Sequence, residues 1–174
     1  NPMTTIRTPA KIIPRAFPGI KPDEVQEIIM NSRIKTYPAD TIICAEDAYE
    51  QTFYMILEGN LEVTKNINNT EQRLLKTLTA GDFFGEMALI HNAARAATVK
   101  SITSVIVLEL DKDGFNRVLK HSPSVAMAMV GEISKRLRQN DQLAIEDLRL
   151  RASELADAYQ QLAEQELARQ EFLS

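Results

Sequence analysis

Apolar positions change their period twice along this chain. Across residues 22–32, Val25, Ile28 and Ile29 recur at helical spacing behind Pro22, Asp23 and Glu24. Proline suits a first helical position, where its missing N–H costs nothing, and acids there meet the positive end of the helix. From Ile34 the period drops to two. "TFYMILEGNLEV" alternates on either side of Glu58-Gly59-Asn60, which reads as a tight turn between two strands. Leu61, Val63 and Ile67 are expected on one side, with Glu62, Thr64 and Asn66 on the other. "NINNT" (66–70) reads as a second turn, and "RLLKTL" and "TSVIVLEL" (103–110) as further strands. Short strands separated by turns predict an antiparallel barrel or sandwich.

After Leu110 the pattern turns helical and stays so. Phe115, Val118 and Leu119 mark a short helix, and Ser122-Pro123 a cap followed by a first-turn proline. Val125, Met129, Val130, Ile133 and Leu137 then recur at threes and fours. Beyond Asn140, Leu148, Ala152, Leu155, Tyr159 and Leu162 form an a/d heptad seam. The seam slips at Glu166, with Leu167 and Phe172 off register, the weak register that lets a coiled coil hold two arrangements. A helix of ~50 residues is ~75 Å long, far past a domain of this size. A parallel dimeric coiled coil over residues 141–174 is expected; the plainer alternative is one amphipathic helix packed on the domain. At the other end, Pro2, Pro9, Pro14, Pro18 and Pro22 stand among Arg7, Lys11, Arg15 and Lys21. Proline at that density predicts an irregular arm over residues 1–21.

Composition narrows the partners. With 174 residues and 44% hydrophobic, the chain can build a real core beside an appendage. A net charge of -4 argues against nucleic acid, which leaves a basic footprint on its binders. One cysteine, Cys44, forbids an internal disulfide and a thiolate zinc cluster, and a cytoplasmic setting fits. No stretch approaches the ~18–20 apolar residues of a membrane span, so no membrane partner is expected here. Nor is catalysis expected. His91 and His121 stand apart, with no metal-ligand spacing to a carboxylate, and Asp82 after Gly81 reads better as a turn acceptor than as half of an acid pair with Glu86.

One stretch resists a purely structural reading. "GDFFGEMALIHNAARAATV" (81–99) sets Glu86 and Arg95 among Gly, Ala, Phe, Leu, Ile and Met. Buried β-structure tolerates neither charge unless something satisfies it. Gly85 permits close approach and unusual backbone angles. Residues 86–90 suit a short helical turn with its first N–H groups turned to a ligand, Ala88, Ala96 and Ala97 leave room, and Arg95 offers a fork for a phosphate. Glu86 would repel a phosphate, but it accepts from a hydroxyl such as a ribose carries. Phosphate plus ribose means a nucleotide. The competing reading is a surface Glu–Arg ion pair of little worth.

"FGEMAL" followed by "RAATV", with nine positions from Glu86 to Arg95, resembles the phosphate-binding cassette of cyclic nucleotide-binding domains. The resemblance covers residues 22–140 and includes the "LEG" turn at 57–59. It implies an α+β fold: an antiparallel, jelly-roll-like β-roll flanked by helices, followed here by a long C-terminal coiled-coil helix. It implies that Glu86 binds the ribose 2′-hydroxyl, that Arg95 binds the exocyclic phosphate oxygens, and that the N–H groups of Gly85, Met87, Ala88 and Ala96 line the sugar-phosphate. Phe84 and Ala97 complete the implied ligand-binding set. Ala94 stands where the family often has proline. Ala96 stands where a Thr or Ser often accompanies cGMP preference, so cAMP is favoured, with weaker cGMP binding. The base is usually capped from the C-terminal helix, and Leu137, Leu143 and Ile145 are candidates.

A binding module without chemistry must pass its signal on, and the long helix is the natural output. "QQLAEQELARQEFLS" (160–174) resembles the helix entering the dimerisation domain of a sensor histidine kinase, just before its phosphorylated histidine. That implies a sensory piece cut before a kinase; other outputs, such as a cyclase or phosphatase, or none, stay open. Two other readings stay open. One is the sensory part of a catabolite-activator-type transcription regulator, although residues 141–174 carry no helix-turn-helix pattern. The other is a degenerate β-roll serving as a dimer scaffold.

Overall fold

The computed structural model describes residues 2–90 and 92–173, with side chains from Thr8 onward except Asn140. In chain order its elements are α1 (Pro2–Ala16), α2 (Pro22–Met30), β1 (Arg33–Tyr37), β2 (Ile42–Cys44), β3 (Thr52–Glu58), β4 (Leu61–Asn68), β5 (Glu71–Leu78), β6 (Phe83–Phe84), α3 (Glu86–Ile90), β7 (Thr98–Ser101), β8 (Val105–Asp111), α4 (Lys112–His121) and α5 (Pro123–Leu173). The chain divides into two compact units, with the boundary in sequence between Met129 and Val130.

The first unit is an antiparallel roll of two four-stranded sheets, ordered β1-β8-β3-β6 and β2-β7-β4-β5. Strand β3 explains how the core divides. It is buried on both faces from Phe53 to Leu57. Phe53, Met55 and Leu57 join the helix-side cluster, with Ile28 of α2, Phe115 and Val118 of α4, and Val125 and Met129 at the start of α5. Tyr54 and Ile56, one pleat away, join Leu61, Val63, Val99, Val105 and Val107 inside the roll. Side chains alternate across a strand, so one apolar run feeds two cores. Strand β8 does the same, paired with β3 from Thr52↔Asp111 to Ile56↔Val107.

The turn at Glu58-Gly59-Asn60 forms as expected. Gly59 has φ +98°, and a Cβ there would collide with the Ser104 carbonyl oxygen, so glycine is required. Asp82 is a turn acceptor, taking the Thr79 N–H at 2.9 Å. The second turn is tighter than "NINNT" suggests: β4 runs to Asn68, whose side chain accepts from the Thr70 and Glu71 N–H groups. Ile67 is 59% exposed and does not share the buried face of Leu61 and Val63. The ladder shifts register between Val63 and Thr64 and again between Asn66 and Asn68, and each shift resets the alternation.

The N-terminal expectation is overturned. Residues 2–16 are helical, not an irregular arm, with Pro9 and Pro14 inside the helix. Each interior proline costs about 3 kcal/mol. Against that, Ile12, Ile13 and Phe17 are buried, and Phe17 stacks on Phe83 with ring centroids 5.5 Å apart. Full burial of such side chains contributes about 1.5–3 kcal/mol each, comparable in sum to the cost of the two prolines.

Ser122 caps the start of α5, its hydroxyl accepting the Val125 N–H at 3.3 Å. The helix then runs 51 residues without interruption, and among the described residues 141–173 no turn divides it as a helix-turn-helix would require. In the second unit every described side chain from Asp141 to Leu173 is exposed, including Leu148, Leu155, Tyr159 and Leu162.

Candidate functional site

Phe83 to Ile90 are placed by three local devices. Strand β6 pairs with β3 through Tyr54↔Phe84 and Met55↔Phe83, and the Tyr54 and Phe84 rings stack at 4.7 Å. That fixes the approach to Gly85, which turns the chain with φ +93°. Helix α3 starts at the next residue. Glu86 opens it and is 5% exposed; Ala88 is buried and Met87 half-buried. The first N–H groups of a helix have no partner within it.

Arg95 is built into the site from both ends. Its backbone N–H donates to the Ala48 carbonyl at 2.9 Å, and its own carbonyl accepts from the Asp47 N–H at 2.8 Å. Its side chain, 6% exposed, reaches the start of β3. There Nη2 donates to the Thr52 carbonyl at 2.6 Å and lies 3.3 Å from Glu50 Oε2. The guanidinium also lies over the Tyr54 ring, 5.7 Å from its centroid. Nε is buried without a hydrogen-bond partner. Gly85 lies so close that a Cβ there would come within 2.5 Å of Arg95 Nη1 and of the Thr52 carbonyl. Arg95 and Gly85 are therefore one assembly, although they stand ten positions apart in the sequence. Ala96 is exposed, and Ala97 packs against the cluster that holds Tyr54 and Phe84.

The partners of Arg95 were beyond sequence reasoning. Glu50, Thr52 and Tyr54 lie more than forty residues upstream, and no spacing connects them to the cassette. Glu50 accepts from the Tyr54 hydroxyl and from Cys44 Sγ, the latter at 3.3 Å. Burial pushes its carboxyl up, but the Tyr54 and Thr52 hydrogen bonds and the Arg95 charge outweigh that and leave it below the ordinary value. Burial pushes the Cys44 thiol up to about 12, against the opposing charge of Arg95. Burial also raises the Tyr54 hydroxyl, and its bond to Glu50 adds to the shift. Cys44 and Tyr54 are thus neutral hydrogen-bond donors at neutral pH, and Glu50 is an anion.

The assembly suits an anionic ligand. A buried guanidinium N–H without an acceptor is costly to leave unmade, and a phosphate oxygen supplies one. Sequence comparison decides the family. The model of the cyclic nucleotide-binding domain matches residues 34–122, half of the chain. This chain belongs to the cyclic nucleotide-binding domain family. The domain is similar to a cAMP-dependent protein kinase regulatory subunit of Schizosaccharomyces pombe, 37% identical over 55% of this chain and 24% of that protein. It is similar to cGMP-dependent protein kinase, isozyme 1, of Drosophila melanogaster, 33% identical over 60% of this chain and 14% of that one. Among solved structures it resembles the regulatory domain of Toxoplasma gondii PKA crystallised with cAMP, with TM-score 0.60 and 29% identity over 66% of this chain and 44% of that one. The chain spans about a quarter or less of the length of these two relatives.

Of the expected site residues, Phe84 lies in β6, Gly85 joins it to α3, Glu86, Met87 and Ala88 lie in α3, and Arg95, Ala96 and Ala97 lead into β7; the structure packs Gly85 against Arg95. Leu137, Leu143 and Ile145 lie on α5 in the second unit, with exposed side chains. His121 ends α4 and is exposed; His91 lies outside the described residues. Among the described residues no group of three His, Cys, Asp or Glu is placed to hold a metal ion, and no helix is long and apolar enough to cross a membrane.

Proposed function

We propose that this domain is a cytoplasmic cyclic-nucleotide sensor that prefers cAMP over cGMP and signals through a dimeric C-terminal helix. The observation that carries the reading is Arg95: a buried cation, fixed at backbone and Nη2, with Nε unpartnered, packed against a glycine that has no room for a side chain. Arg95 pairs the cyclic phosphate, Glu86 accepts from the ribose 2′-hydroxyl, and the N–H groups of Gly85, Met87, Ala88 and Ala96 line the sugar-phosphate. Phe84 and Ala97 wall the site. The similar proteins are named for both nucleotides, so ligand class alone does not separate them. Ala96 favours cAMP because it offers no hydroxyl to a guanine edge; one such hydrogen bond is worth about 0.5–1.5 kcal/mol, so cGMP binds more weakly rather than not at all.

No chemistry is assigned to the domain; its output is the helix. Leu148, Ala152, Leu155, Tyr159 and Leu162 step by four and three and are exposed along α5, which supports a parallel homodimer over residues 141–174. The next two seam positions, Glu166 and Arg169, are charged and pair with each other at 3.8 Å, so the apolar seam ends there. The likeness of residues 160–174 to a kinase entry helix supports a histidine kinase as the downstream domain.

Calorimetric titration with cAMP and cGMP, alongside Arg95→Ala, tests the reading. Wild type should bind cAMP more tightly than cGMP. Removing the buried partner of a phosphate should cost ~2–5 kcal/mol, roughly thirtyfold to several thousandfold in affinity. Absence of uptake by nucleotide-free wild type would sink the sensor reading and leave a dimer scaffold.

A further inference from the structure

Arg95 already faces an anion of the protein's own. Glu50 Oε2 lies 3.3 Å from Nη2, while Nε on the same edge of the guanidinium has no partner. That edge carries the two parallel N–H groups that match two oxygens of a phosphate. One of its two ends is therefore shared between Glu50 and the Thr52 carbonyl. We infer that the Glu50 carboxylate is a built-in rival of the nucleotide phosphate for Arg95, and that it sets how tightly the domain holds its ligand. This rests on the reading that Arg95 receives the phosphate.

Three observations carry it. First, Glu50 is held facing Arg95 by hydrogen bonds from the Tyr54 hydroxyl on β3 and the Cys44 thiol on β2. A carboxylate so pinned cannot simply swing away when a second anion arrives. Like charges on one cation then repel, and in a partly buried site that repulsion is screened less than in water. Second, Glu50 is charged at neutral pH, since its carboxyl lies below its ordinary value. Third, Arg95 does not need Glu50 to stay in place. The Thr52 carbonyl and the backbone bonds to Asp47 and Ala48 hold it without Glu50. A neutral side chain of the same shape at position 50 should therefore leave the arginine positioned but without its resident counter-ion.

The deciding outcome is a gain of affinity, which mere structural damage does not produce. Nucleotide-free chain carrying Glu50→Gln is titrated with cAMP beside wild type, and the melting temperature of each is measured without nucleotide. Glu50→Gln should bind about three- to tenfold tighter, the scale of one partly screened ion pair, with slower dissociation and no rise in the nucleotide-free melting temperature. Glu50→Asp draws the carboxylate back by one methylene and should fall between the two. It decides the matter if the glutamine variant does not fold. Unchanged or weaker cAMP binding by the folded variants, with wild type binding normally, overturns the inference and makes Glu50 a buttress for Arg95. If neither wild type nor variants bind cAMP or cGMP, the sensor reading itself falls and takes this inference with it.

Discussion

Arg95 donates through Nη2 to the Thr52 carbonyl at 2.6 Å, across 43 residues of sequence. That bond joins the cassette to the first residue of the strand that feeds both cores. It needs a planar fork: one nitrogen anchors on backbone while another stays available to the ligand. Lysine offers a single point charge on a flexible stem. Arg95→Lys should therefore fold but lose affinity for cAMP by roughly ten- to a hundredfold, since one ammonium cannot anchor on Thr52 and pair two phosphate oxygens together. Titration of the variant checks this; retention of wild-type affinity would mean that charge alone matters.

Gly85 answers to the same assembly. A methyl group at this position would meet Arg95 Nη1 and the Thr52 carbonyl at 2.5 Å, and φ +93° is unfavourable for any L side chain. Gly85→Ala should lower stability by at least about 1–2 kcal/mol from the backbone alone and should displace the guanidinium. Thermal melting and cAMP titration should both show loss. By contrast, Gly131→Ala meets nothing within 4 Å and should leave nucleotide binding unchanged.

These relationships mark what the sequence could carry. The family was legible because the motif that carries it is local: glycine, short helix and arginine fall within eleven residues. The hairpin at Gly59 and the start of α5 at Pro123 were legible for the same reason, each fixed by turn or cap chemistry. The helix at residues 2–16 was not legible, because proline density is a local signal whereas the burial of Ile13 and Phe17 that overrides it is tertiary. Strands β2 and β6 have three and two residues, too short to show a period. Glu50 was invisible because nothing near it in the sequence says that an arginine 45 residues later will lie against it.

Glu24 supplies a pH-dependent prediction. An acid in the first turn of α2, it is 4% exposed and ties that turn to the start of α5. It accepts from the Lys21 N–H at 2.7 Å, from the Ser124 N–H at 3.1 Å and from the Ser122 and Ser124 hydroxyls. The Lys21 N–H, with the serine donors, outweighs the cost of burial and holds the carboxyl down to about 2, from 4.5. A depressed carboxyl stabilises the fold above its unfolded pKa and loses that contribution as pH falls through the folded one. Glu24→Gln should thus lower stability by about 1.5–3 kcal/mol at neutral pH, as expected for hydrogen bonds to a charged group. The gap between variant and wild type should close between about pH 4.5 and 2. Melting curves across that range check it; a gap independent of pH would rule out the charge as the cause.

The apolar seam of α5 ends at Glu166. Leu155 and Tyr159 are 72% and 78% exposed along α5, a large apolar cost for a helix that stays alone in water. Pairing two copies buries that stripe. Leu155→Asp puts a charge with no partner into the seam and should convert dimer to monomer in sedimentation equilibrium, while Ser153→Asp, off the stripe, should not. Glu166 and Arg169 occupy the next two seam positions and pair within one helix instead of packing across two. Replacing both with leucine should extend the apolar stripe and raise the dimer's melting temperature. If the dimer is the route by which nucleotide is reported, that longer seam should also weaken the difference that cAMP makes to helix pairing, measured as the shift in dimer dissociation constant with and without ligand. An unchanged cAMP shift beside a stiffer seam would separate dimerisation from signalling.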